Sequence, residues 1–437
     1  MDTGGSSEQV VNPTRRRGGC LKVIGITVAV IAVMAILAVV AVTVVMEVSS
    51  NRRTSGDAVD DRPEGEVTEE PPAATVPPEL DQVEPVPEDE MLVSVARKPP
   101  VNPCADSGPD FDIEVMGLDG SNRRPIDAEA AAGAAGSDAG DAPATGDSGR
   151  INTDQEELWA RLAPDRRRLV FYRAPTGVTG ETCRYGVQEL WIANVDGSGL
   201  RMLFSNEQKA ELASRLGWPE DGALQGHADW APDGRHLVMV LGHAPSLGPL
   251  PLLNQGETEL FVMNIDTGDL RQVTRRVDDE GRGVSSDPSF TPDGESIIFV
   301  GCPDATPSCD DMQILSVPAD AEEASTTDVV FDAPGRNGND VYVSPDSRSI
   351  SWMEVGALET SLFVAEFTPG REIQPSDAVL IDAHGGFANW SADSEQLIYS
   401  RLWLGDRFAL YSNSFDGQPG TRVSPPGSDE VFMTPSP

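Results

Sequence analysis

The chain has 437 residues, of which 71 are acidic and 32 basic, so its formal net charge at pH 7 is −39. Charge of that sign repels phosphate, which argues against a nucleic-acid-binding protein and against docking of the soluble part on anionic lipid. The length suits one large repeat-built β domain or two to three ordinary domains.

The first predicted element is a transmembrane helix at residues 21–46. Residues 23–46 carry no charge, and at 1.5 Å per residue they form about 36 Å of helix, enough to cross a hydrocarbon core of about 30 Å. Basic residues crowd the N-terminal flank, at Arg15, Arg16, Arg17 and Lys22, and only Arg52 and Arg53 follow closely on the other side. Because positive flanks stay inside, residues 1–20 are predicted to be a cytoplasmic tail, with the rest extracytoplasmic, in the periplasm or at the cell surface. A cleaved signal peptide is the alternative, but its apolar region is shorter, about 7–15 residues, and ends at a small-x-small site.

Two low-complexity stretches follow the predicted helix. Proline and glutamate are interleaved along residues 47–90, and such a stretch has too little apolar mass to fold, so a disordered, extended acidic linker is predicted. Residues 127–149 are mostly Ala, Gly and Asp, which predicts a low-complexity insert within the following domain.

An internal repeat determines the predicted fold. It occurs at residues 162–171, 230–239, 290–299, 343–352 and 390–399. Each copy starts with an apolar residue. After one further residue comes Pro-Asp or Ala-Asp, often followed by Gly, as a tight turn prefers. Leu or Ile and then a large apolar residue follow at a spacing of two, which is typical of a β-strand.

A second pair of strands is predicted after the repeat, for example at residues 189–197, 259–268 and 409–417, which end in Asp-Gly or Asp-Thr-Gly hairpin tips. The unit is therefore four antiparallel strands that recur every ~45–70 residues, which is the size of a β-propeller blade.

The aromatic-Ser-Pro-Asp-Gly-x-x-Ile-x-Phe pattern resembles the WD-like repeat of the TolB family, whose propeller has six blades. The resemblance covers about residues 91–437 and implies an all-β fold, a six-bladed β-propeller. It implies little about function, because this repeat also serves peptidases, lyases and binding proteins. TolB proteins carry an α/β domain ahead of the propeller, where this chain has the predicted helix and linker.

The two ends of the repeat region complement each other. Residues 91–96 and 111–120 are predicted to be the second and third strands of a blade that lacks its first strand, and residues 431–435 to be a lone first strand. Joined, these N- and C-terminal strands make a sixth blade, close the ring and leave no open sheet edge.

Cysteines after the apolar segment favour disulfides. Cys104, Cys183, Cys302 and Cys309 make an even number in a compartment predicted to be oxidising. Cys302 and Cys309 share one short loop and are predicted to pair, whereas pairing of Cys104 with Cys183 is left open. Tight C-x-x-C spacing is absent, so no cysteine metal site is predicted.

Candidate ligand-binding residues come from one position of the repeat, three residues before the apolar residue that precedes the turn. This position is expected near the start of the innermost strand, facing the central channel. It is occupied in successive blades by Trp159, His227, Asp287, Asp340, Phe387 and Glu430. His227, Asp287, Asp340 and Glu430 are predicted to form a polar channel mouth that binds a divalent cation or a basic peptide segment, because converging carboxylates attract cations. The alternative is that these residues are only solvated at a wide entrance.

The predicted function is a non-enzymatic binding scaffold at the cell envelope, with an envelope protein, a peptide or cell-wall material as partner. No catalytic residue is predicted, and no cofactor beyond the cation at the channel mouth. The alternative is a metal-dependent enzyme that acts on an acidic polysaccharide, with His227, His384 and nearby acids as metal ligands. The chain has four histidines in all.

Overall fold

The structure is a computed structural model. It describes residues 80–96, 111–126, 150–153, 155–174, 189–216, 223–243, 257–275, 284–301, 313–324, 326–332, 338–355, 360–401, 409–415, 418–426 and 431–436. The predicted tail, transmembrane helix and low-complexity insert lie outside these residues, as do Glu430 and all of the cysteines. In the part of the chain that is described, no helix has the length and apolar character needed to cross a membrane.

Each copy of the repeat folds into two strands joined by a tight turn. In the second copy, the Gly234 amide donates to the Ala231 carbonyl at 2.9 Å, and the Asp233 carboxylate accepts from the Arg235 amide at 2.8 Å. Gly234 lies in the left-handed region at φ 64°, as a type I turn followed by a bulge requires. The other copies place Arg166, Gly294, Ser347 and Ser394 in the same left-handed conformation.

Six four-stranded antiparallel sheets form the blades. Blade 1 contains β1 (Glu90–Ala96), β2 (Phe111–Gly117), β3 (Arg124–Pro125) and the last strand, β24 (Val431–Ser436); blade 2 contains β4 (Glu156–Leu162), β5 (Arg168–Ala174), β6 (Glu189–Asn194) and β7 (Arg201–Met202); blade 3 contains β8 (Ala223–Trp230), β9 (His236–His243), β10 (Glu257–Asn264) and β11 (Leu270–Gln272). Blade 4 contains β12 (Ser285–Phe290), β13 (Ser296–Gly301), β14 (Gln313–Pro318) and β15 (Asp328–Phe331); blade 5 contains β16 (Gly338–Val343), β17 (Ser349–Val355), β18 (Thr360–Glu366) and β19 (Val379–Asp382); blade 6 contains β20 (Gly385–Trp390), β21 (Leu397–Arg401), β22 (Ala409–Asn413) and β23 (Thr421–Arg422).

The inner strands of the blades form a closed ring. Each inner strand contacts the inner strand of the next blade, in the order β4, β8, β12, β16, β20 and β24. The last of these, β24, contacts β4 and closes the ring. In blade 1, Val95 pairs with Phe432 and Ala96 with Val431, so the last strand of the chain completes the first blade. The predicted six-bladed propeller, closed by its terminal strands, is confirmed.

The hydrophobic core is divided into layers between neighbouring blades. Leu237 and Met239 of β9 pack in the layer shared with blade 2, whereas Val238 and Val240 pack in the layer shared with blade 4. The central strands are therefore buried on both faces, and the period of two in the repeat separates two cores rather than core from solvent.

Among the described residues, one α-helix interrupts the strand pattern, α1 (Asn206–Leu216), after β7. Ser205 and Gln208 form a reciprocal capping box: the Ser205 amide donates to Gln208 Oε1 at 2.9 Å and the Gln208 amide to Ser205 Oγ at 3.2 Å. Leu212 and Ala213 bury the helix against the core between blades 2 and 3. The repeat predicts only strands, and this helix lies outside it.

The predicted disordered linker ends earlier than residue 90. Leu80–Gln82 form a short 3₁₀-helix, and Val83 and Val86 are buried in the core between blades 1 and 2. The Arg166 side chain donates to the carbonyl oxygens of Val86, Pro87 and Glu90 at 2.6–2.7 Å. Residues 80–90 are thus part of the propeller, because two valines in an otherwise polar stretch suffice to dock it.

Candidate functional site in the central channel

A β-bulge marks the same place in the inner strands. In β4, two residues oppose one residue of β5 between Leu158 and Arg161, and the other inner strands show the same shift. The first bulged residue has a positive φ in five blades: Trp159 51°, His227 23°, Asp287 47°, Asp340 54° and Phe387 48°. These are five of the six positions that the repeat alignment selects as channel-facing.

The sixth position differs from the alignment. In blade 1, Met433 pairs with Ser94 and Ser436 with Leu92, so the bulge begins at Thr434. Thr434, rather than Glu430, therefore corresponds to Trp159. Counting back from the turn fails here because no Pro-Asp turn follows this strand.

Three of the candidate residues meet although they come from three different blades. One ligand atom each of His227, Asp287 and Asp340 lies within 4.8 Å of the other two. Residues from three blades can come this close only beside the axis of the ring. Asp287 and Asp340 are buried, whereas the His227 side chain is 22% exposed, so the open side of the cluster is at the histidine.

The contacts within the cluster are unequal. His227 Nδ1 forms an ion pair with Asp287, and Ser286 Oγ donates to Asp287 Oδ2 at 3.2 Å. The Trp159 ring packs on the imidazole, with the ring centroids 5.1 Å apart. Asp340 Oδ2, in contrast, is buried and has no hydrogen-bond partner.

A second set of polar side chains lies two residues further along the inner strands, at Arg161, Asp229 and Tyr342. The buried Arg161 guanidinium donates to the Tyr342 hydroxyl and, at 3.4 Å, to the Pro435 carbonyl. Asp229 accepts from the Phe290 amide at 3.4 Å. Sequence reasoning missed these residues, although a period of two from Trp159, His227 and Asp340 would have selected all three.

The acidic residues of the channel differ in the direction of their pKa shifts. Burial raises the pKa of Asp340 to about 6, and the Asp287 carboxylate adds to the rise. Burial also raises the pKa of Asp229 to about 6, against the opposing charge of Arg161. Burial alone would raise the pKa of Asp287 and lower that of His227, but their mutual attraction outweighs it, so the Asp287 pKa falls and the His227 pKa rises. Both shifts favour the ion pair of His227 with Asp287, and this pair leaves the Asp340 carboxyl group without a charge partner of its own in the cluster.

The remaining candidate residues from the sequence lie away from this cluster or outside the described residues. His384 is not part of the cluster that the described residues form around His227, and its backbone amide donates to Asp382 Oδ1 at 2.9 Å. The cysteine pairings fall outside the described residues and stay predictions, as does a binding role for Glu430, although Thr434 takes its place in the strand alignment. The role of the channel cluster as a ligand site is likewise a prediction.

A cavity of about 620 Å³ lies at the repeat turns of blades 3 and 4. Its acids include Asp233, which pairs with His236 at 2.6 Å, and Asp293, which accepts from Thr291 Oγ1 at 2.6 Å. Because these carboxylates already serve the turns, the cavity is a weaker candidate site than the channel.

Comparison with known proteins informs the fold. No protein-family model and no curated protein matches this sequence. Among solved structures, TolB from Acinetobacter baumannii matches with a TM-score of 0.52 and 12% identity over 80% of this chain and 67% of that chain. Hydrazine synthase from Kuenenia stuttgartiensis matches with a TM-score of 0.51 and 12% identity, over 82% of this chain and 47% of that one.

An oligogalacturonate lyase from Vibrio parahaemolyticus is more distant, with a TM-score of 0.39 and 11% identity over 77% of this chain and 80% of that chain. Identities this low show the fold alone. The described part of this chain is a TolB-like six-bladed β-propeller.

Proposed function

We propose that this protein is a membrane-anchored, non-enzymatic binding scaffold, whose propeller binds a protein, peptide or cell-wall ligand outside the cytoplasm. The observation that carries the proposal is the convergence of His227, Asp287 and Asp340 in the channel. Each side chain projects from a bulge in a ring that its own terminal strand closes. A site on such a frame is preorganised, so little ordering free energy is lost when a ligand binds.

Charge favours a ligand that carries a cationic group. The chain has a net charge of −39, and two of the three clustered side chains are carboxylates. An acidic surface that leads to an acidic channel raises the local concentration of cations and steers basic segments toward it. The predicted partner group is therefore a metal cation or a basic peptide segment.

Membrane anchoring is supported by the uncharged residues 23–46 and their basic N-terminal flank. Protease added to spheroplasts should cut within residues 47–79 and release a propeller-sized fragment. A fragment protected from protease until the membrane is opened would contradict the proposed orientation.

Photo-cross-linking tests the binding site itself. Phe387 occupies the bulge of blade 6, and Phe415 lies 39% exposed beyond β22. Each is replaced by the photoreactive p-benzoylphenylalanine in the full chain, in intact cells. We expect a discrete cross-linked product from position 387, lost when Asp287→Asn and Asp340→Asn are added, and none from the aromatic control at 415. Equal products from both positions, or none from 387, would contradict binding at the channel.

A second candidate function is a metal-dependent enzyme that acts on an acidic polysaccharide. The observation that favours it is that an imidazole and two carboxylates lie close enough to share one cation, with the histidine side open. Incubation of the full chain with polygalacturonate and Mn²⁺ or Zn²⁺ separates the two functions. Reducing ends that form with wild type but not with Asp340→Asn would favour the enzyme over the scaffold.

A further inference from the structure

We infer that His227, Asp287 and Asp340 bind one divalent transition-metal ion, of the Zn²⁺ and Mn²⁺ class, in the central channel. The inference rests on the proposed function in one respect, since it names a ligand for the same site. It goes further in specifying the donor atoms and the class of ion.

The first support is geometric. The three donor atoms lie within 4.8 Å of one another. An ion held at about 2.0–2.2 Å from imidazole nitrogen and carboxylate oxygen needs donors no more than about 4.4 Å apart. Small side-chain rotations are enough to close that difference. The backbone already holds the donors in place, because each of the three residues is the first residue of a bulge.

The second support is an oxygen that lacks a partner. Asp340 is only 3% exposed, and its Oδ2 atom has no hydrogen-bond partner. A buried carboxylate oxygen is unfavourable unless a donor or a cation satisfies it. The neighbouring ion pair leaves this oxygen unpartnered, whereas an ion among the three donors would satisfy it.

The donor set selects the class of ion. Ca²⁺ and Mg²⁺ prefer shells made only of oxygen, whereas imidazole together with carboxylate suits Zn²⁺ and Mn²⁺. Three protein donors leave at least one coordination position open, and the 22% exposed His227 places it on the solvent side. Ser286 orients one donor by its 3.2 Å hydrogen bond to Asp287 Oδ2, as residues around metal ligands commonly do.

The alternative is that the cluster serves only the fold, with His227 as a fixed cation that neutralises Asp287. A metal site and a purely structural cluster are both compatible with this geometry, so a binding measurement must distinguish them. His236 supplies a matched control, because it also pairs with an aspartate, Asp233, at 2.6 Å but lies at a repeat turn outside the channel.

The test uses the full chain in detergent, stripped with a chelator and titrated with Zn²⁺, Mn²⁺, Ca²⁺ and Mg²⁺ by calorimetry. We expect Zn²⁺ or Mn²⁺ to bind at one ion per chain and Ca²⁺ and Mg²⁺ to bind far more weakly. Asp340→Asn and His227→Gln should each weaken binding by about 100-fold or more, and His236→Gln should leave it unchanged. Circular dichroism of each variant checks that the propeller remains folded.

Three outcomes would overturn the inference: no binding of Zn²⁺ or Mn²⁺ by wild type, equal affinity in the folded Asp340→Asn variant, or loss of binding in His236→Gln alone. Cross-linking from position 387 needs no added metal. A chain that cross-links there but binds no ion would therefore overturn the metal site and leave the proposed scaffold function standing.

Discussion

Two buried polar clusters of this propeller each join acidic and basic side chains. They differ in whether every buried polar atom has a hydrogen-bond partner. One is Glu157 with Arg173 in blade 2, and the other is His227 with Asp287 and Asp340 in the channel. Glu157 and Arg173 are 0% and 2% exposed, and Asp287 and Asp340 are 7% and 3% exposed, so both clusters contain buried carboxyl groups.

The blade 2 cluster is locally satisfied. Arg173 Nε donates to Glu157 at 3.1 Å, and Nη2 donates to the carbonyl oxygens of Arg150 and Ile151 at 2.8 and 2.9 Å. Glu157 also accepts from Thr153 Oγ1 at 2.7 Å, and the guanidinium lies 4.5 Å from the centroid of the Trp191 ring. These hydrogen bonds bind the segment before β4 to the blade.

The channel cluster is assembled across blades and leaves Asp340 Oδ2 without a partner. A polar network whose members satisfy one another rigidifies a fold, whereas an incompletely satisfied one lowers stability and persists where a ligand completes it. This difference in pairing is the reason for our proposal that the first cluster serves the fold and the second binds a ligand.

Opening the ring that holds both clusters should have the largest effect on stability. Deletion of residues 428–437 removes β24, which pairs with β1 and contacts β4 and β20. We expect misfolding, because the deletion exposes strand edges and the core on either side of blade 1. A truncated protein with an unchanged thermal unfolding midpoint would contradict closure by the last strand.

Breaking the paired cluster should have the next largest effect. Arg173→Met leaves Glu157 buried without its cation, and we expect the free energy of unfolding to fall by about 3–5 kcal/mol in urea titrations. Arg235→Met is the control, because Arg235 is 71% exposed and 3.9 Å from Asp266, and exposed pairs contribute at most about 1 kcal/mol. A loss below that level for Arg173→Met would mean that the pair is not structural.

Removal of the Asp340 charge from the channel cluster should change stability in the opposite direction. Asp340→Asn removes a buried charge, and in the presence of a chelator we expect it to raise the free energy of unfolding by about 1–2 kcal/mol at pH 7. The folded-state pKa of Asp340, about 6, lies above its ordinary value of 3.8, so folded wild type binds the proton more tightly. Wild type therefore loses stability as pH rises through this range, and the advantage of the variant should vanish near pH 4. A variant less stable than wild type at pH 7 would assign Asp340 to the fold.

Left-handed residues at the repeat turns test backbone strain separately from the channel cluster, because none of them belongs to that cluster. Ser347 has φ 60°, where glycine is favoured, so Ser347→Gly should stabilise the protein by about 0.5–1 kcal/mol in thermal unfolding. Gly294 has φ 72° in the equivalent turn, so Gly294→Ser should destabilise it by a similar amount. Changes of the same sign in both variants would show that backbone strain does not govern these turns.

The repeat made the blades predictable, because its turn chemistry and its period of two are local. The ring closure was also predictable, since incomplete blades at the two ends complement each other. The packing of residues 80–90 was not predictable. Val83 and Val86 are too few to indicate a packed segment unless the core between blades 1 and 2, in which they are buried, is already known. Local sequence carries no information about such a fit.

The candidate site was predictable in part. Alignment of the repeats selected His227, Asp287 and Asp340, since equivalent positions face the same channel. It misassigned the position in blade 1, where Thr434 stands instead of Glu430. It also missed Arg161, Asp229 and Tyr342, although each lies two residues after a selected position, where a strand places side chains on the same face.

Binding of a metal ion by the channel cluster of His227, Asp287 and Asp340 is tested most directly by X-ray absorption spectroscopy of the zinc-loaded full chain. We expect a first shell of nitrogen and oxygen at about 2.0–2.2 Å, with the outer-shell signature of a single imidazole. That signature should disappear in His227→Gln and persist in His236→Gln. A shell that contains sulfur at about 2.3 Å would instead place the ion on the cysteines and contradict the assignment.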